Sequence, residues 1–360
     1  MIYLDYQATT PLAPEALEAM LPWLKDQHAN PHSAHRPGRS AKAAVEVARE
    51  EIARLLPPGG RVVFTSGATE ALNWAIKGTA GPITTVATEH AAVLDTVAAE
   101  GRRGRPVTVL PVGADGLVDG DAACTATNPG TGLVAAMLVN NEIGVIQPIE
   151  QLADAAHAAG ALFLCDAVQG YGRVPIPINV DLVAVSAHKV YGPKGIGALW
   201  IRDGVELEPL LHGGDQEGGR SGTLSPALCA GFGAAARLMR ERAEADGEHV
   251  FGLFSIAHSS LGGWTVNGSI ERRYFGNINA FRVGVDVARL MSEVRDVAFS
   301  AGSACASGSG RPSHVLRAIG LTDQQARSSV RLGFGRYTTE AEVEQAMGRL
   351  IEAADRQLVP

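Results

Sequence analysis

The stretch Asp181-Leu182-Val183-Ala184-Val185-Ser186-Ala187-His188-Lys189-Val190-Tyr191-Gly192-Pro193-Lys194-Gly195 passes from an unbroken apolar run into a turn of small residues with a lysine at its mouth. Apolarity without alternation predicts a strand covered on both faces. A lysine at the end of such a strand is poorly solvated and loses its proton more readily. The neutral amine can then condense with an aldehyde, which makes Lys189 a Schiff-base candidate. A second strand end, Leu162-Phe163-Leu164-Cys165-Asp166, places a carboxylate at an edge of the same kind. The ring nitrogen of pyridoxal phosphate needs such an anionic partner to stay protonated and withdraw electrons.

Outward from these two segments, apolar runs recur at Val62–Thr65, Ile83–Ala87, Val107–Leu110, Val134–Val139 and Ala198–Ile201. Helical patterns at Ala41–Leu56, Glu70–Lys77, Ala91–Arg102 and Ile149–Ala159 separate several of them. This alternation predicts an α/β domain with a mainly parallel seven-stranded sheet. Ligands of such sheets collect beyond the carboxyl ends of the strands, where Asp166, the Ser186–Lys189 turn and the turn Thr65-Ser66-Gly67-Ala68-Thr69 all fall. From Ser225 to about Glu248 the sequence reads as one long helix, after which the segments shorten and glycines punctuate them. The expected organisation is a large domain over 15–248 and a smaller α+β domain over 249–360. An N-terminal arm, 1–14, could pack on either.

Composition excludes several classes of function. The 360 residues are 46% hydrophobic and 19% charged, enough to bury a full core, and Lys+Arg 31 against Asp+Glu 38 gives a net charge of −7. Without a run of like charges, nucleic-acid binding is not expected. Neither a signal-peptide pattern nor an apolar run of membrane-spanning length occurs, so a cytoplasmic protein with no membrane contact is expected. The cysteines Cys124, Cys165, Cys229 and Cys305 form no C-x-x-C pair, which argues against structural zinc and secreted disulfides. Cys165 and Cys229 read as core residues. Cys305, within Ser300-Ala301-Gly302-Ser303-Ala304-Cys305-Ala306-Ser307-Gly308-Ser309-Gly310, has no periodic apolar face to hide in.

Eight motifs in order carry a resemblance to a known family. They are Tyr3-Leu4-Asp5-Tyr6-Gln7-Ala8-Thr9-Thr10-Pro11, Phe64-Thr65-Ser66-Gly67-Ala68-Thr69-Glu70, Thr88-Glu89-His90, Val139-Asn140-Asn141-Glu142-Ile143-Gly144, Asp166-Ala167-Val168-Gln169, Ser186-Ala187-His188-Lys189, Arg220-Ser221-Gly222-Thr223 and Gly302-Ser303-Ala304-Cys305. Over nearly its whole length the chain resembles cysteine desulfurases of the NifS/IscS type, in the class V aminotransferase group of fold-type I pyridoxal phosphate enzymes. The resemblance implies a homodimer that removes sulfur from L-cysteine, leaves L-alanine and carries the sulfur as a Cys305 persulfide. A sulfur-acceptor or iron–sulfur scaffold protein would receive it. Selenocysteine lyase, a class V aminotransferase and a catalytically silent assembly subunit remain as alternatives.

Residue by residue, the resemblance assigns the cofactor's phosphate to Ala68, Thr69, Ser186 and His188, with Thr223 reaching in from the partner subunit. The start of a helix, with its free N–H groups, suits that task. His90 matches the residue that stacks on the pyridine ring and assists proton transfer, although taken alone it reads as a capping or surface histidine. Gln169 fits a hydrogen bond to the phenolic oxygen. Asn141, beside the cofactor, and Arg331 match the residues that hold the substrate carboxylate. Alone, Arg331 reads as a surface residue, because Ser328-Ser329-Val330-Arg331-Leu332 alternates like a half-buried strand. No resident metal is implied, and Cys305 is at most a transient iron–sulfur ligand. Two departures from the family pattern stand out: Ala187 where glycine is common, and a glycine-rich 212–220 stretch shorter by one residue. The chain also ends at Pro360, without the longer tail common in relatives, which leaves the acceptor open.

Overall fold

The computed structural model describes residues 1–214, 216–301 and 312–358. Its strands, in chain order, are β1 (Ile2–Tyr3), β2 (Gly60–Thr65), β3 (Ile83–Val86), β4 (Val107–Leu110), β5 (Leu133–Met137), β6 (Leu162–Asp166), β7 (Leu182–Ser186), β8 (Gly197–Arg202), β9 (Thr265–Val266), β10 (Asn277–Phe281), β11 (Val297–Ala298), β12 (Ser300–Ala301) and β13 (Ser329–Gly333). A seven-stranded sheet has the order β2-β8-β7-β6-β5-β3-β4. The pairs among β3, β4, β5, β6 and β7 are parallel, and β8 alone runs against its neighbours β2 and β7. The expected strands match these to within about two residues, the ordinary uncertainty of an element boundary.

The continuous apolar runs have the predicted cause. Val183, Val185 and Phe163 pack into one core cluster, while Leu182, Ala184 and Leu164 pack into another, so successive side chains of one strand are buried on opposite faces. A third cluster joins the C-terminal residues to the helices Ala243–Ser259 and Glu340–Leu358 behind the sheet β12-β13-β10-β9.

Two expectations need correction. The run after Ser225 forms two helices, Pro226–Glu241 and Ala243–Ser259, broken at Arg242. Residue 248 lies inside the second, whose Leu253, Phe254 and Ala257 belong to the C-terminal cluster. The break brings Asp246 within 2.6 Å of Arg336 Nη2, a guanidinium stacked 4.4 Å from the Tyr191 ring. The second correction concerns β13, which is buried at every position and so puts Arg331 in the interior.

The N-terminal arm packs on both parts. Ile2 and Leu4 join the C-terminal cluster, and Tyr6 and Ala13 join the core under the large sheet. β1 pairs in parallel with β11, and Gly333 N–H donates to the Leu4 carbonyl at 2.8 Å. Only glycine fits at 333, where a Cβ would stand 2.8 Å from the Tyr6 nitrogen.

Candidate active site

Because β8 is the reversed strand, the carboxyl ends of β2, β3, β5, β6 and β7 share one edge of the sheet. A cavity of about 630 Å³ opens there. Among its lining residues are Ala68, Thr69, His90, Asn141, Asp166, Gln169, Ser186, His188, Lys189 and Arg331. Residues from six separate stretches of sequence thus converge on one space. Thr223 is exposed and lies outside this lining, and Cys305 lies outside the described residues. The described residues on either side of 302–311 are tied down by carboxylates. Ser300 Oγ donates to Asp5 Oδ1 at 2.9 Å, and Ser313 Oγ donates to the carboxylate of Glu142.

Lys189 ends a single turn of 3-10 helix, Ala187–Lys189, that follows β7 directly. Its Nζ donates to the carbonyls of Gln7 at 2.5 Å and Ala8 at 2.9 Å, so the arm holds the amine. The turn beyond it is strained, with Tyr191 at φ 66°, and is fixed by Thr10 Oγ1, which accepts the Tyr191 N–H at 2.7 Å. Asp166, at the end of β6, is 4% exposed. Burial raises its carboxyl above the usual range, against the pull of the Val168 N–H, His90 and Lys189.

Behind Asp166 lies Glu89, fully buried. One of its oxygens accepts the Met137 N–H at 2.6 Å, and the other has no partner among the described residues. Burial and then the neighbouring Asp166 push its carboxyl well up. His188 is driven the other way, to about 4, by burial and then by Lys189 and Lys194. It is therefore a neutral imidazole at physiological pH, with Nδ1 3.1 Å from Thr9 Oγ1.

His90 satisfies both of its readings. It caps the helix Ala91–Arg102, with Nδ1 accepting the Ala92 N–H at 3.1 Å, and it lines the cavity. An acceptor Nδ1 leaves Nε2 as the protonated nitrogen of the neutral ring. The helix Ala68–Lys77 begins at the cavity, and its first residue is preceded by Gly67, which makes no side-chain cap. Gly197 permits this approach: a Cβ there would stand 2.7 Å from the Gly67 carbonyl carbon.

Pyridoxal phosphate fits this donor set. A cationic ring nitrogen supplies the counter-charge that buried Asp166 lacks, uncapped N–H groups and neutral His188 suit a phosphate, and Lys189 is the amine. Arg331, 1% exposed, is a cavity-lining guanidinium whose buried Nε has no partner among the described residues. Sequence reading assigned no role to Asp5, Gln7, Ala8 or Thr9. The polar residues interleaved in Asp5-Tyr6-Gln7-Ala8-Thr9-Thr10 were the available signal.

The sequence matches the class V aminotransferase family over residues 2–346. The chain belongs to the class V aminotransferase family, and its likeness there is to cysteine desulfurases of the NifS/IscS type. Cysteine desulfurase IscS of Rickettsia bellii (strain OSU 85-389) is 44% identical over 365 residues, covering 96% of this chain and 89% of the relative. The IscS of Rickettsia felis (strain ATCC VR-1525 / URRWXCal2) is 43% identical, covering 100% and 93%. Among solved structures, a NifS-like protein superposes with a TM-score of 0.91 at 31% identity, covering 99% of both chains. SspA in complex with cysteine superposes at 0.84 with 38% identity, covering 94% of this chain and 100% of that one.

Proposed function

We propose that the chain is a pyridoxal phosphate-dependent cysteine desulfurase that takes sulfur from L-cysteine, leaves L-alanine and receives the sulfur on Cys305. The observation that carries this reading is the convergence of Lys189, Asp166, His90 and Arg331 on one cavity. When bound, the cofactor supplies an electron-withdrawing ring that stabilises negative charge on the substrate's carbon skeleton. Asp166 would hold positive charge at the ring nitrogen, and His90 would pack on the ring. Gln169, whose Nε2 donates to the Gln7 carbonyl at 2.9 Å, would serve the phenolic oxygen. Ala68, Thr69, Ser186 and His188 would hold the phosphate.

The Arg331 guanidinium and the Asn141 side chain, both lining the cavity, orient the substrate by its carboxylate. Lys189 Nζ moves the proton from the substrate's α-carbon, and the Nε2–H of His90 is a second proton store at the same face. The carbon–sulfur bond breaks with its electron pair passing to carbon, which takes a proton and becomes the methyl group of alanine. The Cys305 thiolate bonds the departing sulfur, so the thiol becomes a persulfide and no outside oxidant is needed. From Cys305 the sulfur passes to an acceptor thiol, an iron–sulfur scaffold protein being the partner this reading favours. No described helix is long and apolar enough to cross a membrane. We place the reaction in the cytoplasm, where thiols stay reduced.

Incubating the purified protein with L-cysteine and a thiol reductant tests this directly, since sulfide and alanine must appear in equal amounts. Arg331→Ala is expected to raise KM for L-cysteine by roughly a hundredfold, because charge-assisted hydrogen bonds contribute roughly 1.5–3 kcal/mol each. Steady-state kinetics over a wide substrate range measures it, and an unchanged KM removes Arg331 from the binding site. Thr223, exposed and away from its own cavity, is assigned to the partner subunit's phosphate. The holoenzyme is then expected to sediment as a symmetric dimer, and a fully active monomer excludes the shared site.

A further inference from the structure

We propose that Asp5 is a positioning residue for the substrate carboxylate, acting through Arg331; this rests on the role given to Arg331 above. Arg331 occupies the middle of β13, with Asn279 opposite it on β10 and Ser300 opposite it on β12. A guanidinium so far from water needs a fixed counter-charge. Asp5 Oδ1 supplies it, 2.7 Å from Nη2, while the Ser300 hydroxyl donates to the same carboxylate oxygen. The Asn141 carbonyl accepts from Nη1 at 3.2 Å.

These bonds fix the guanidinium of a side chain that lines the cavity, and its Nε is buried with no partner among the described residues. Asp5 is not among the lining residues, so it reaches the substrate only through Arg331. The arm fixes it in turn: the Leu4 N–H donates to Ala298, the Leu4 carbonyl accepts from Gly333, and Asp5 itself bridges to Gly333.

Asp5 therefore does two separable things. Its hydrogen bonds orient the guanidinium, and its charge offsets the positive field that an incoming carboxylate meets. L-cysteine and L-alanine carry the same α-carboxylate. An Arg331 without its counter-charge would hold both more firmly, and Asp5 keeps both within reach of release.

Two substitutions separate orientation from charge in the holoenzyme. Asp5→Asn keeps an oxygen that can accept from Nη2 and Ser300 but removes the charge, whereas Asp5→Ala removes both. The readout is equilibrium binding of L-alanine, followed by the absorption of the bound cofactor, together with KM and kcat for L-cysteine. Asp5→Asn is expected to tighten L-alanine by about tenfold and to lower KM in parallel, the size of effect that removing one nearby fixed charge produces. Asp5→Ala is expected to weaken L-alanine and raise KM. Cysteamine, which is cysteine without its carboxylate, should bind both variants and wild type within about twofold of one another, since the charge it would feel acts through the missing group. If Asp5→Asn leaves L-alanine binding unchanged or weaker while Arg331→Ala still abolishes it, the charge role of Asp5 is wrong and the Arg331 site stands. If Asp5→Ala binds L-alanine as tightly as Asp5→Asn, the orienting role is wrong. If Arg331→Ala binds L-alanine like wild type, the Arg331 site fails and takes the Asp5 proposal with it.

Discussion

Cys305→Ala is expected to bind the cofactor, respond spectroscopically to L-cysteine, and release almost no sulfide. The substitution removes the thiolate that must bond the departing sulfur but leaves Lys189, Asp166 and the phosphate-binding residues in place. Loss of an attacking nucleophile costs about 10³-fold in turnover or more. The other cysteines are poor substitutes. Cys165 and Cys229 are buried, and burial pushes the Cys165 thiol well up and the Cys229 thiol up to about 12, which keeps both protonated. With limited L-cysteine, mass spectrometry of the wild type should find one added sulfur on the peptide containing Cys305 and none on those containing Cys124, Cys165 or Cys229. Undiminished turnover in Cys305→Ala, or a persulfide on another cysteine, identifies a different nucleophile.

Lys189→Ala is expected to abolish both the covalent hold on the cofactor and the chemistry. Proton transfer by a positioned side chain alone contributes about 10²- to 10⁴-fold, and the link to the aldehyde is lost as well. Borohydride reduction of the wild type followed by peptide mapping should place the cofactor on Lys189. A label on Lys194, which also lines the cavity, overturns the assignment. The variant also removes the Lys189 donor from the Gln7 and Ala8 carbonyls, of which Gln7 keeps only the Gln169 Nε2. In the cofactor-free protein, amide exchange across residues 2–10 should therefore accelerate relative to wild type.

Much of this was legible from local pattern. Runs such as Leu182–Ser186 announce strands because both faces are buried, and the residue at the end of such a run lands at the ligand edge without further knowledge of the fold. Asp166 and Lys189 were found in that way. What stayed hidden depends on contacts distant in sequence. Arg331 lies in a segment that alternates, yet the arm and β10 cover the strand and bury the guanidinium beside Asp5. The break at Arg242 has no proline or glycine to mark it, and the partner it serves, Arg336, is 90 residues from Asp246. The arm's short alternation, Ile2, Leu4 and Tyr6, marks a strand without naming what that strand packs against. The arm's bonds to Lys189 are made with backbone carbonyls, which any residue type supplies.

The arm's pairing also sets an order in which the molecule becomes competent. Its first strand is synthesised first, yet Ile2 aligns with Val297, Asp5 meets a hydroxyl 295 positions away, and Leu4 waits for Gly333. Contacts of such separation close slowly, because a long loop of chain must be ordered before they form. The large sheet can be complete, with its lysine at the edge, while that lysine still lacks the carbonyls that hold it. The arm's outer residues, Ile2 to Asp5, thus depend on residues 297–333 for their place, while Thr10 and Ala13 are held by His188 and Tyr191 beside the lysine.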